Sequence, residues 1–392
     1  LPVIFLLALT CGVAVGNVYF PQAVVPSLAA GLDVTAQAAA PVVTATQAGY
    51  AAGIFLLVPL GDRLPHRRLI VTLLVLTGAG LLAAGTAPTL GVLLAASVVI
   101  GLTTVVAPII GPMAAGLVSA DRRGVVAGTL LSGSIGGMLL SRALGGVLGE
   151  WPGWRAPYLV SAVLVLGVAF LLARALPETV PPSAQRYPAL VAESLRLLRA
   201  EPELRRSCLY QAAVFGAFSA VWTAVALLLS GPVYGLGASA VGALALVNAG
   251  TMLCTPFAGR QVDRRGPDAV NLVCLAGAVV SALVLAAGGL GGAAGLAGLV
   301  LGTLLLDVAM QSGMVANQVR VYGLRPEARS RLNTAYMTCA YAGGAAGSWL
   351  GTGAYGHAGW PGVCALAALL PGLALARHLG RTRSAPPSVP AA

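Results

Sequence analysis

Two charged side chains stand where charge is costly. Arg142 lies inside the apolar stretch 124–148 and Asp307 inside the stretch 293–318. At the centre of a membrane helix a charge costs about 2.5–3.5 kcal/mol on insertion scales, so it normally faces a partner or a wet cavity. A carboxylate there can gain and lose a proton, and the change in charge biases a protein between two conformations. Asp307 is therefore the candidate for a protonatable coupling site. An Asp307–Arg142 ion pair is the structural alternative, and the two are compatible.

Other polar and aromatic residues share faces with these charges or with one another. Gln311 and Met314 follow Asp307 at i+4 and i+7 on one helix face. Gln211, Phe215, Phe218 and Trp222 recur at i, i+4, i+7 and i+11 as an amphipathic aromatic wall. Such a wall packs a core or touches a substrate. Tyr19 and Gln22 share a face, Asn17 points elsewhere, and Pro21 and Pro26 are placed to kink their helix. This polar set is a further candidate for substrate contact. Gln47 and Asn248 read as residues that bond between helices.

Chemistry of other kinds finds no residues to carry it. His66, His357 and His378 sit at the ends of apolar stretches and far apart in sequence. No His/Asp/Glu cluster or activated Ser or Cys accompanies them, so a membrane-embedded enzyme or sensor is the remote reading, with no metal or cofactor expected. The six cysteines form no CxxC pair and read as small buried hydrophobes.

The elements that must position these residues follow from composition. Of 392 residues, 58% are hydrophobic and 9% charged, against roughly 25% charged in a soluble domain. So few charges cannot cover a watery surface, whereas a bilayer tolerates them. Segments of about 20 apolar residues lie near 3–30, 38–60, 69–86, 90–118, 124–148, 155–175, 207–231, 236–259, 269–290, 293–318, 330–355 and 360–378. The first is too long for a signal-peptide core and lacks an A-x-A end, so it reads as a span. The stretch 176–206, with Pro181-Pro182, Glu193, Arg196 and Arg199, suits a linker containing a short surface helix.

The net charge of +11 comes from arginine alone, in short clusters without aromatic interleaving, which excludes a nucleic-acid surface. Every one of the 23 arginines except Arg142 and Arg155 falls in the connections after even-numbered spans or in the tail. The positive-inside rule then places both termini in the cytoplasm.

The halves repeat. Gly49 and Asp62-Arg63 recur as Gly250 and Asp263-Arg264, offset by 201 residues. Asp121, Arg123, Gly137, Gly145 and Gly153-Trp154 recur as Glu327, Arg329, Gly343, Gly351 and Gly359-Trp360, offset by 206. Two parallel copies of six spans are a known transporter plan.

The segment Gly49 to Arg68, with Gly61-Asp62-Arg63 and Arg67-Arg68, resembles the loop signature of the major facilitator superfamily, G-x-x-x-D-R-x-G-R-R. Val58 and Pro65 replace its glycines, while Gly259, Asp263-Arg264 and Gly266 fit it better. Gly128, Gly137, Ser141-Arg142 and Gly145-Gly146 are similar to the fifth-span signature of that superfamily's antiporters, with Arg142 standing where the proline should be. Packing of small residues is the plain alternative. Asn317 to Arg320 and Pro326 to Thr334 look like a subgroup of bacterial efflux permeases.

The resemblance implies an all-α membrane protein of twelve transmembrane helices in two six-helix bundles. They would be residues 1–175 and 207–378, joined by a cytoplasmic linker 176–206 and followed by a tail 379–392. Asp62, Arg63, Arg67, Asp263 and Arg264 would form a cytoplasmic gate, Asp62 and Arg63 holding the start of the eleventh span near Ser330 when the molecule opens outward. The arginine that family antiporters often carry in span 4 is absent, so coupling through it is excluded. The function implied is efflux of a small organic molecule driven by proton influx, by a monomer in the bacterial inner membrane; proton-coupled uptake is the alternative.

Overall fold

A computed structural model describes residues 2–119, 122–177, 185–325 and 328–384. Asp121, Pro181, Pro182, Pro326, Glu327 and the tail beyond Ser384 lie outside the described residues.

Apolar runs in lipid must satisfy their own backbone, and the helix is the form in which one segment can do so. Nine helices are long and apolar enough to cross a membrane, among the described residues. A tenth crossing is a bent pair, Pro2–Tyr19 and Pro21–Gly31, related by 47° at Phe20. Glycines in the left-handed region separate the remaining two. Gly266 (φ 77°) breaks the run Cys254–Ala286, so that Ala238–Asn248 continues through a tighter turn to residue 265 as one span. Gly359 (φ 61°) breaks Arg329–Ser384 into the last two spans. An L side chain is strained at both positions. Twelve crossings result among the described residues, and the eighth span runs past the expected residue 259 because Gly266, not the apolar run, ends it.

With twelve crossings the two termini and the linker share one side of the membrane, called here the linker face. Span 4 is interrupted at Thr104, between Leu90–Thr103 and Val106–Gly116. The freed segment is stitched to span 1, because the Thr104 hydroxyl donates to the Ala14 carbonyl at 2.7 Å and accepts from Asn17 Nδ2 at 3.2 Å.

The repeat is visible in the packing. A Cβ on Gly137 would collide with the Gly12 carbonyl oxygen, and one on Gly343 would lie 2.5 Å from that of Ala212. Ala8 likewise meets Gly133, as Cys208 meets Cys339. Moving span 1 by 200 residues (12 to 212) and span 5 by 206 (137 to 343) converts one ladder into the other. Each half is thus built on the same backbone-to-backbone contact, the close approach that small residues permit.

The halves meet along two seams, span 5 against span 8 and span 2 against span 11. On the side opposite the linker both seams are closed. A Cβ on Gly146 would meet the Ala238 carbonyl oxygen at 2.5 Å. One turn further, a Glu150 carboxylate oxygen accepts from the Ser239 backbone N–H at 2.7 Å, in the first turn of span 8. On the other seam Ser348 bonds Thr44 and Thr223, each at 3.1 Å. Toward the linker face spans 5 and 8 diverge around a cavity of about 420 Å³, lined by Ser132, Ile135, Met252, Pro256, Gln318 and Tyr322 among others. Gly128 faces open space there.

The linker helix Tyr187–Ala200 bridges spans 2 and 11 on this face. Its Tyr187 hydroxyl donates to the Leu56 carbonyl at 2.7 Å, and Glu193 pairs with Arg331 at 2.9 Å.

Candidate functional site

The bend at Phe20, the small residues of span 5 and the uninterrupted span 7 bring six side chains to the centre of the molecule. Tyr19 and Gln22 come from span 1 and Arg142 from span 5. Phe218 and Trp222 come from span 7, and Asp307 from span 10. All are fully buried or nearly so.

The guanidinium of Arg142 is held by its Nε, which donates to Gln22 Oε1 at 2.9 Å. Aromatic rings surround the rest of it. Its carbon lies 4.3 Å from the Trp222 ring, 4.9 Å from Tyr19 and 5.1 Å from Phe218. A desolvated cation over such faces gains about 2 kcal/mol or more. The Trp222 indole N–H in turn donates to Asp307 Oδ1 at 3.1 Å. The direct Asp307–Arg142 ion pair is therefore not formed. The indole stands between them, its face toward the cation and its edge toward the anion, matching the ring quadrupole.

The unit is incomplete. Arg142 Nη1 and Nη2, Asp307 Oδ2 and Gln22 Nε2 have no hydrogen-bond partner among the described residues. An uncompensated buried polar group costs about 1–3 kcal/mol, and more when charged. Arg142 and Gln22 belong to the first half, and Trp222 and Asp307 to the second. The unpaired groups therefore lie where the two halves meet.

Other expected site residues fall in different places. Phe215 stacks on Phe218 at 5.5 Å and meets Tyr341 edge-on at 5.0 Å, forming the wall beside the unit. Asn17 is drawn off to Thr104 and serves the joint between spans 1 and 4. Gln311 donates to Thr251 Oγ1 at 2.9 Å, a bond to span 8. Gln211 accepts from Asn317 at 3.5 Å, toward the linker face. The Met314 carbonyl accepts from Tyr336 at 3.5 Å, two turns from Asp307.

Two residues not expected in the site join it. Tyr341 exchanges a hydroxyl contact of 3.1 Å with Tyr19, and Tyr50 packs edge-on against Tyr341 with ring centres 4.5 Å apart. Gln47 lies between Thr44 and Tyr50 on the face of span 2 that meets span 11. Both of its amide atoms are buried without a partner among the described residues, where a bond between helices was expected. Asn248 does make its bond, donating to Thr303 at 3.0 Å.

The gate residues also divide. Asp62 sits beside His66 and faces two charges, Arg331 at the start of span 11, one residue beyond Ser330, and Glu193 on the linker helix. Arg63, Asp263 and Arg264 are exposed. Arg67 donates to the Ala173 carbonyl and clamps span 3 to span 6 within one half, not across the gate. In the second half Asp268 pairs with Arg206 and, at 2.5 Å, with Arg320, and Glu203 pairs with the same two arginines at 3.1 and 3.8 Å. Of the span 5 glycines, Gly137 and Gly145 pack on span 1, Gly146 packs on span 8, and Gly128 packs on nothing. No group of three or more metal-ligating side chains occurs among the described residues.

Comparison with known proteins accords with this architecture. The profile of the Major Facilitator Superfamily matches residues 5–316. The uncharacterized transporter YgaY of Escherichia coli O157:H7 is 34% identical over 361 residues, 92% of this chain and 91% of that protein. The probable transporter SCO4007 of Streptomyces coelicolor is 36% identical, over 92% of this chain and 83% of that protein. A chloramphenicol resistance protein of Streptomyces lividans is 32% identical over 68% of this chain and 67% of its own length. Among solved structures, a mutant form of the nucleoside transporter NupG superposes with a TM-score of 0.78 at 13% identity, covering 96% of this chain and 98% of that one. The human organic anion transporter MFSD10 superposes with a TM-score of 0.68 at 19% identity, covering 96% and 97%. These two establish the fold alone. Twelve helices in two matching bundles, an incomplete polar site between them and relatives that span the chain lead to one identification: this membrane protein is a transporter of the major facilitator superfamily, not an enzyme.

Proposed function

We propose that the chain exports a small organic molecule in exchange for protons, by alternating access, with Asp307 as the coupling carboxylate. The observation that carries the reading is the Arg142–Trp222–Asp307 unit, built from both halves and left with unpaired charged atoms at their boundary. When ionised, Asp307 answers the Arg142 charge through the indole. Protonation removes that charge and leaves a buried cation without its counterion, a costly state in low dielectric. The two open conformations then differ in proton affinity, and a proton gradient can drive the cycle.

The arginine distribution makes the linker face cytoplasmic, in the inner membrane of a bacterium. The conformation is then sealed at spans 5 and 8 on the outer side and separated on the inner side. Residues 1–175 and 207–378 move as the two bodies. Arg331 leaves Glu193 for Asp62 when the inner side closes, which makes Asp62 the latch. One chain supplies every residue of the site, so a monomer suffices. Efflux as the direction is supported by the fifth-span glycines and by the resistance protein of Streptomyces lividans among the relatives.

Compounds that stabilise the purified protein supply labelled cargo for the test. Everted vesicles energised by respiration are expected to accumulate such a compound. A protonophore should abolish accumulation, and Asp307→Asn should show none. Accumulation in right-side-out vesicles under an inward proton gradient, and none in everted ones, would overturn efflux in favour of uptake.

A further inference from the structure

The unpaired atoms at the boundary between the halves are of two opposite kinds. On one side are Nη1 and Nη2 of Arg142, a planar fork that matches two oxygens of a single anionic group. On the other side is Oδ2 of Asp307, an acceptor suited to an ammonium or another N–H donor. The Trp222 ring lies between them, with its face 4.3 Å from the guanidinium carbon and its N–H on the other carboxylate oxygen. Phe218 and Tyr19 add apolar walls around the fork.

The charges of the fork and the carboxylate cancel. A ligand bearing one net charge would leave an uncompensated charge in low dielectric, and that penalty falls on anions and cations alike. A ligand carrying both charges satisfies both ends and keeps the site neutral. The rings supply contact area for a flat apolar body beside them. Gln22 Nε2, also unpaired, sits next to the fork and can donate to the same anionic group.

We infer that the cargo is a zwitterion with an aromatic body, its carboxylate or similar oxyanion on the Arg142 fork and its ammonium on Asp307. The inference rests on the exchange reading above and deepens it, since an ammonium needs the ionised carboxylate and so competes with a proton. Ile135, the residue of span 5's cavity lining farthest from the linker face, stands two helical turns from Arg142, roughly 10 Å at 1.5 Å per residue. The separation of spans 5 and 8 thus offers a route to the site from the linker face.

Three matched probes decide it: 3-phenylpropionate with the anionic end alone, phenethylamine with the cationic end alone, and phenylalanine with both. Calorimetric titration of the purified parent protein at one fixed pH should give at least tenfold tighter binding of phenylalanine than of either single-ended probe. Arg142→Gln should erase its advantage over phenethylamine, and Asp307→Asn its advantage over 3-phenylpropionate. Equal or tighter binding of a single-ended probe to the parent overturns the inference, as does failure of all three to bind. The parent measurement stands even where a variant folds poorly. Proton release distinguishes the two levels. A single-ended probe that binds best and still releases protons defeats the zwitterion while leaving exchange intact. Phenylalanine that binds best, with an affinity that does not change with pH and no proton release at any pH, defeats exchange while leaving the zwitterion.

Discussion

The indole of Trp222 donates its N–H to Asp307 at 3.1 Å while its face covers the guanidinium of Arg142 at 4.3 Å, so one side chain of the second half couples an anion of its own bundle to a cation of the other. This relationship explains how two opposite charges persist in the bilayer interior without a direct bond. It also makes Trp222 the position where the two halves are linked electrostatically.

Trp222→Phe keeps an aromatic face of reduced size and removes the N–H. Hydrogen bonds to charged groups contribute about 1.5–3 kcal/mol, so transport should fall roughly tenfold to a hundredfold with the protein still folded. Transport rates in vesicles at matched expression test this. An unchanged rate would mean that the indole is wall and nothing more.

Gly146 and Gly128 lie on the same helix in opposite surroundings. A Cβ at Gly146 would press on the Ala238 carbonyl at 2.5 Å, whereas one at Gly128 meets nothing. Gly146→Val should wedge spans 5 and 8 apart on the side opposite the linker, and Gly128→Ala should not. Ser348, fully buried at the companion seam, serves as reporter once replaced by cysteine. Labelling of Ser348→Cys by an impermeant maleimide is expected to quicken in the Gly146→Val background alone. Equal rates in both backgrounds would show that this seam does not gate access.

Gln47 is buried with both amide atoms unpaired among the described residues, a cost of about 1–3 kcal/mol in a protein interior. Gln47→Leu removes the cost at similar size. The variant should melt at a higher temperature than the parent, by the cost of the unpaired amide that it removes. A lower melting temperature would mean that the amide is satisfied after all.

Arg142 and Asp307 were legible in the sequence because a charge inside an apolar run has few explanations. Gln22, Tyr19 and Trp222 could be placed on the right faces by helical spacing alone. The bridge between them could not, because Trp222 and Asp307 are 85 residues apart and meet only through bundle packing. Tyr50 and Tyr341 carried no signal, since neither shares a helix face with a charge in its own glycine- and alanine-rich span. The repeat did foretell structure, since its offset of 206 reappears in the Gly12–Gly137 and Ala212–Gly343 contacts, with span 1 displaced by 200. The gate was harder to read. The charge-rich motif marks the turn, but Arg67 bonds a carbonyl of its own half and Asp268, outside the motif, pairs with Arg206 and Arg320.

Proton release on ligand binding tests the coupling claim most directly. Titrating a stabilising ligand into weakly buffered parent protein should free up to one proton per ligand, with affinity rising as pH rises, because the ligand requires the ionised carboxylate. Asp307→Asn should bind without releasing any. Identical release from parent and variant would contradict the account and take Asp307 out of the mechanism.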